Sequence, residues 1–254
     1  MKEDTYAAIA AYEQRFWWHR IRRQLVAGLL RTHGLPPGAT AVDIGFASGG
    51  TSLLHDELGV ATAVGIERSE RSLALARQRS PSTLLVCADA SGTLPLQSEQ
   101  FDLASIFGVL NHEWISDERR VFGEVARVLK PGGLLVVTEP AFQVLMRGMD
   151  RYCMTKHRYQ PGELAAMAAA NGLEVVRQGH FAMWAFVPAW LLAMWERLAP
   201  RSWTDNQLPL DLREPPRLVN AVCYAVSWLE AMATLRGAGL PFGVTYFGLF
   251  RRPA

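Results

Sequence analysis

Residues 41–54 run Ala-Val-Asp-Ile-Gly-Phe-Ala-Ser-Gly-Gly-Thr-Ser-Leu-Leu. A short apolar run carries an acid near its end, a loop of mostly small residues follows, and a helix begins. This pattern is a strand delivering its C-terminal end to a glycine-rich turn, where the lack of bulky side chains leaves backbone N–H groups open to a ligand. Asp43, two residues before Gly45, sets a carboxylate at that turn. A pyrophosphate would be repelled there and a cationic ligand attracted. Gly45-x-Ala47-x-x-Gly50 also fits a degraded dinucleotide-binding fingerprint, and the Asp43 carboxylate argues against that reading.

The rest of the chain alternates in the same way. Apolar runs recur at 40–44, 62–66, 83–87, 101–107 and 133–138, with helical periodicity at 49–58, 70–79 and 117–129. In the last helix Val121, Val125, Val128 and Leu129 share a face. Alternating strands and helices imply parallel pairing, right-handed crossovers and a three-layer α/β sandwich. Residues 5–33 are predicted helical as far as Gly34-Leu-Pro-Pro-Gly38. Pro161 opens a further helix, which Asn171-Gly172 stops. Strand character resumes at 173–176, and the last strand is expected over 242–250. Between these strands lie about sixty residues with two apolar helical stretches, parted by a Pro-rich segment over 208–216. The second stretch carries Leu218, Val222, Ala225, Val226, Leu229 and Met232 on one stripe. The first, 181–195, is uncharged, shorter than the ~20 residues that span a bilayer, and interrupted by Pro188. It is predicted to be a buried helix or an interface element and not a transmembrane segment. Peripheral membrane contact stays open.

The 254 residues allow one large domain or two small ones, and half of them are hydrophobic. Twenty-six Lys and Arg against 24 Asp and Glu leave a charge of +2, which argues against a nucleic-acid partner. The cluster Arg15, His19, Arg20, Arg22 and Arg23 reads as a solvated helix face. Cys87, Cys153 and Cys223 are far apart and odd in number, with neither metal-ligand spacing nor a disulfide framework. With an N-terminus lacking the apolar core of a signal peptide, they point to the cytoplasm. A monomer or homodimer is expected.

In an open parallel sheet, ligands bind beyond the C-terminal strand ends. The first strand delivers Asp43, Gly45, Ala47 and Gly49. The second ends in Glu67, an acid able to accept two hydrogen bonds from a ribose diol. The third leads into Ala88-Asp89-Ala90, and the fourth into Phe107-Gly-Val-Leu-Asn-His112-Glu-Trp114. Together with Arg127-Val-Leu-Lys-Pro-Gly-Gly133, these motifs over about 40–140 resemble class I S-adenosylmethionine-dependent methyltransferases. Trp17-Trp18-His-Arg and His157-Arg-Tyr-x-Pro-Gly-Glu-Leu164 resemble small-molecule members.

The resemblance implies a Rossmann-like seven-stranded sheet whose last strand is antiparallel, with N-terminal helices and a helical insertion between the last two strands. It implies residues 1–36 as a helical cap and 37–254 as the α/β domain. The 140–160 loop and the 182–240 insertion would form a lid on the acceptor side. S-adenosyl-L-methionine would be the cofactor. Asp43 and the loop Gly45, Phe46, Ala47 to Gly49 would face its methionine part, and Glu67, with Arg68 beside it, its ribose. Asp89 and Ala90 would face the adenine, and Phe107 and Gly108 would lie beneath. Lys130 to Gly133 would be a structural turn into the fifth strand. The family's middle glycine is Ala47 here, and Phe46 stands where a cysteine is common.

His112 is the candidate base, since it follows the fourth strand near where the methyl should project. Tyr12, Trp17, Trp18, Tyr152, His157 and Tyr159 are candidate acceptor contacts, with Phe16, Trp184 and Trp190 as further aromatic walls. The expected function is methyl transfer to a small apolar or aromatic molecule, a secondary metabolite or a lipid-linked one. Phe46 and Ala47 motivate a second reading, the same fold turned to cyclisation, elimination or hydrolysis. A third is a non-catalytic partner that docks its apolar insertion on a membrane or another protein.

Overall fold

A computed structural model describes residues 10–199 and 213–254. Its sheet has seven strands: β1 Thr40–Ile44, β2 Thr62–Glu67, β3 Leu84–Cys87, β4 Phe101–Phe107, β5 Leu129–Pro140, β6 Glu174–Phe181 and β7 Thr245–Arg251. They are ordered β3-β2-β1-β4-β5-β7-β6, and only β7 is antiparallel to its neighbours. Strand order reverses between β1 and β4, so their C-terminal ends diverge to open a crevice. The register puts Asp43 of β1 beside Gly65 of β2 and Ser105 of β4.

The helices are α1 Trp17–Thr32, α2 Ser52–Leu58, α3 Glu70–Arg79, α4 Glu118–Val128, a single turn α5 Gly148–Tyr152, α6 Glu163–Ala170, α7 Phe186–Leu198 and α8 Arg217–Leu235. Alternate residues of each central strand feed two cores. Val42, Ala104 and Val137 meet Val125 of α4 and Leu164 of α6 on one face. Ala41, Leu103 and Val136 meet Leu25 of α1, Leu54 of α2 and Ala231 of α8 on the other. Period-two alternation across a sheet covered on both faces is what makes three layers. Asp117 caps α4 by accepting from Arg119 N (3.0 Å) and Arg120 N (3.2 Å).

Several expectations shift. Within the described residues the first long helix starts at Trp17, because Phe16 is extended (φ −66°, ψ 126°). Lys130-Pro-Gly-Gly133 is a bulge inside β5: Phe101 faces Leu129 but Leu103 faces Leu134. A Cβ at Gly133 would come within 2.9 Å of Lys130 O, so glycine is required there. β6 runs on to Phe181 because β7 supplies a full antiparallel partner. Pro188 sits in the first turn of α7, where a missing N–H is tolerated, and so does not interrupt it.

The largest departure is the orientation of the insertion. The segment 181–195 is not a buried helix: of α7, only Ala193 is buried. On α8 the buried residues are Ser227, Ala231 and Thr234, while Leu218, Val222, Ala225, Val226 and Leu229 face outward. Of the predicted stripe only Met232 packs against the core. Polar contacts fix this rotation. Trp17 N donates to Asn220 Oδ1 (2.8 Å), Gln24 Nε2 to Tyr224 OH (2.9 Å) and Trp184 Nε1 to Ser227 Oγ (2.9 Å), and Arg20 lies 3.8 Å over the Tyr224 ring. Glu230 accepts from both Met183 N and Trp184 N at 3.0 Å. Most of the Pro-rich segment lies outside the described residues.

Candidate functional site

The crevice beyond β1 and β4 opens into a cleft of about 1370 Å³, its open mouth included. Its floor is the turn after β1. Gly45 adopts φ 81°, and a Cβ there would come within 2.3 Å of Val109 Cγ2, so the turn closes only with glycine. Ala47 holds the left-handed conformation at φ 49°. Its N–H donates to Glu67 Oε2 (3.0 Å) while Ser69 N donates to Glu67 Oε1 (2.8 Å). Glu67 therefore ties the turn to the end of β2 and keeps lone pairs for a ligand.

Phe46 does not crowd the cleft. Its ring lies over Gly65, where a Cβ would come within 2.5 Å of Phe46 Cγ. The aromatic ring fills the volume that a side chain at 65 would occupy.

Of the predicted cofactor contacts, Gly45, Phe46, Ala47, Glu67, Arg68, Asp89, Ala90, Phe107 and Gly108 line this cleft. Asp43 and Gly49 do not. Asp43 is buried one layer behind the turn and accepts a hydrogen bond from Ser105 Oγ. Burial pushes its carboxyl up to about 7 against the opposing hydrogen bonds of Ser105 and Thr51, so it is a weaker anion than the sequence suggested. Gly49 turns the chain at φ 92° against Ser80.

His112 reaches the cleft stacked on Trp114, ring centroids 4.1 Å apart, with Arg68 5.2 Å over the far partner of that stack. Its Nδ1 has no hydrogen-bond partner, and burial pushes its pKa down to about 4. It is neutral at physiological pH, an acceptor of hydrogen bonds and a weak base. Of the predicted acceptor contacts, Trp18 lines the cleft and Tyr12, Trp17, Tyr152, His157 and Tyr159 do not. Trp17 packs on Trp184, and Tyr12 packs edge-on against Phe16. His157 bonds Glu163 (2.8 Å), and Tyr159 is buried beneath the wall. The 140–160 segment does form one wall, through Met149, Asp150, Cys153, Thr155 and Arg158. No described residue of 182–240 lines it.

Three elements of the site went unread in the sequence. Arg22 is not on a solvated face. It points into the cleft between the rings of Trp18 (4.8 Å) and Phe107 (4.9 Å), with no carboxylate at ion-pair distance among the described residues. Burial pulls its pKa down to about 10. A half-buried guanidinium with no carboxylate at ion-pair distance among the described residues, beside a ligand cleft, is suited to a carboxylate from the ligand. Glu139, fully buried at the end of β5, accepts from Val109 N (2.9 Å) and Leu110 N (3.0 Å) and so shapes the turn after β4. The strand-end rule that marked Glu67 applies equally to it. Glu13 reaches over Gly50 to pair with Arg79, which in turn donates to Ser48 O (2.9 Å).

These features fit S-adenosylmethionine. Glu67 would hold the ribose diol, Asp89 at the rim the adenine, and Arg22 the amino-acid carboxylate, while the open backbone at Gly45 admits close approach.

Comparison with known proteins agrees. Residues 42–137 match the family described as methyltransferase domain. Trans-aconitate 2-methyltransferase of Acidovorax ebreus is 31% identical over 131 residues, 51% of this chain and 48% of that protein. Demethylmenaquinone methyltransferase of Renibacterium salmoninarum is 31% identical over 107 residues, 42% of this chain and 43% of that protein. The chain thus spans about half the length of the relatives it matches. The crystal structure of an S-adenosylmethionine-dependent methyltransferase from Mesorhizobium loti shares the fold, with a TM-score of 0.57 at 19% identity over 88% of this chain and 96% of that one. The motif order, the sheet order and the strand-end residues agree with that match: residues 42–137 are similar to the methyltransferase domain, and the chain shares the fold of an S-adenosylmethionine-dependent methyltransferase.

Proposed function

We propose that the protein transfers a methyl group from S-adenosylmethionine to a small, apolar or aromatic acceptor. The observation that carries this is the cleft that brings Glu67, Asp89 and Arg22 together with a second wall built from the 140–160 segment. The cofactor supplies an activated methyl on a sulfonium, so the protein's task is chiefly alignment. The turn at Gly45 to Ala47 and the Glu67 latch fix one partner. Met149, with Cys153 and Thr155 of the same wall, faces the other. His112 lines the cleft as a neutral imidazole whose Nδ1 is buried, which leaves its other ring nitrogen as the atom to meet an acceptor hydroxyl or amine.

The acceptor wall speaks to polarity. Its cation, Arg158, is already paired with Asp150 at 2.8 Å, and both are buried. Little positive charge is left there for a polycarboxylate, which favours a quinone-like or lipid-linked body over an acid such as the one in the trans-aconitate relative's name. A cytoplasmic setting is part of this proposal and rests on the odd number and wide spacing of Cys87, Cys153 and Cys223. The non-methylating alternative loses one of its two motives, since the Phe46 ring is housed over Gly65.

Titration calorimetry with S-adenosylmethionine tests the reading. Arg22→Ala and Glu67→Ala should each weaken binding about tenfold or more. Turnover of a quinol or phenol panel that persists after the cofactor is stripped would overturn it.

A further inference from the structure

We infer that the outer face of α7 and α8 docks the protein on an anionic lipid surface. The inference does not rest on the methyl-transfer reading.

α8 has the composition of a membrane helix and the wrong face buried for a core helix. From Leu218 to Leu229 it carries no charged residue, and its 19 residues are long and apolar enough to cross a bilayer. Yet Leu218 is 76% exposed and Leu229 63% exposed, while Ser227 and Thr234 are buried. A half-turn of the helix would hide the apolar stripe. The hydrogen bonds from Asn220, Tyr224 and Ser227 to α1 and Trp184 prevent it. The same bonds exclude spanning, because a helix held along its length by the domain lies on a bilayer and does not cross it. α7 behaves alike, with Leu191 at 55% and Trp195 at 59% exposed.

The charges select the occupant. Arg197, Arg217 and Arg236 are exposed at the helix ends. Among the described residues, the nearby acids are held by partners in the domain. Glu196 accepts from Gly148 N (2.7 Å), Glu230 caps Met183 and Trp184, and Glu214 pairs with Arg15 (3.0 Å). An apolar face bordered by arginines and tryptophans suits the interface of an acidic bilayer. Docking also bears on the site: Arg197 donates to Val144 O (2.9 Å) and Glu196 holds Gly148 N, so α7 is pinned to the segment leading into the Met149 wall of the cleft.

The test is flotation of the full chain with vesicles of equal parts phosphatidylglycerol and phosphatidylcholine, beside vesicles of phosphatidylcholine alone. Binding is expected to the first, with loss in high salt. The double variant Trp195→Glu, Leu229→Glu should lower the bound fraction about tenfold or more, with S-adenosylmethionine affinity by calorimetry matching the parent and so reporting an intact fold. No flotation, equal binding to neutral vesicles, or a dimer in light scattering that the double variant converts to monomer would each overturn the inference. Calorimetry reads the cofactor site separately, so failure here leaves the methyltransferase reading standing.

Discussion

The turn after β1 and the outer face of α7 and α8 treat the same kind of residue in opposite ways. At the turn every atom is accounted for: Gly45 abuts Val109, Phe46 fills the space over Gly65, and the Ala47 N–H is held by Glu67. On the insertion, leucines, valines and tryptophans look outward while serine, threonine and tyrosine face the domain. Side-chain polarity alone therefore does not decide what is buried. Specific partners do. An unpaired polar group inside costs about 1–3 kcal/mol, and one satisfied contact line can fix a helix against its apolar moment.

Gly45→Val attacks the first region where it is least forgiving. The backbone conformation and the Val109 contact both oppose a side chain, so we expect about 3 kcal/mol or more of lost stability in urea denaturation and no measurable cofactor binding. Leu229→Ser, a change of similar chemical size on the insertion, should stay within about 0.5 kcal/mol. Equal losses for the two would erase the contrast.

Glu139→Gln probes the site's buried acids. Burial holds the Glu139 carboxyl up at about 8 against an ordinary 4.5. Between those values the unfolded chain is ionised while the folded one stays protonated, so wild-type stability falls as pH rises through that window. Glutamine removes the titration and still accepts from Val109 and Leu110 through its oxygen. Its melting temperature relative to wild type should climb by about 10 °C or more from the acid to the alkaline end of the window. A constant difference would show that the acid is ionised in the fold.

Tyr224→Phe is the mildest probe. It keeps the ring under Arg20 and deletes the hydroxyl shared with Gln24. A loss of about 1 kcal/mol is expected. No change would mean that this contact does not set the rotation of α8.

Much of this was legible in the sequence because it follows from period and position. The strands that face two cores read as continuous apolar runs, and the acid ending β2 stood out against them. The antiparallel last strand came from the family resemblance, not from the pattern. Arg22 was illegible because a basic residue on a helix looks solvated unless the opposite wall is known, and that wall, Phe107, is 85 residues away in sequence. The insertion misled for the converse reason. An apolar stripe signals burial only when no better-matched polar face competes, and α8 has one. Asp43 was placed at the right turn but on the wrong side of it: alternation along β1 aims it at Ser105.

The junction of the insertion with the sheet has one more consequence. Phe181, where the chain leaves β6, lies directly opposite Thr245, where it re-enters as β7. The sheet itself brings the two ends together, so the excursion between them is a plug-in module whose length and content can change at only a logarithmic entropic cost. What such a change must keep is the cover that Ala231 and Met232 give to one face of the sheet and the hold of α7 on Val144 and Gly148 beside the cleft.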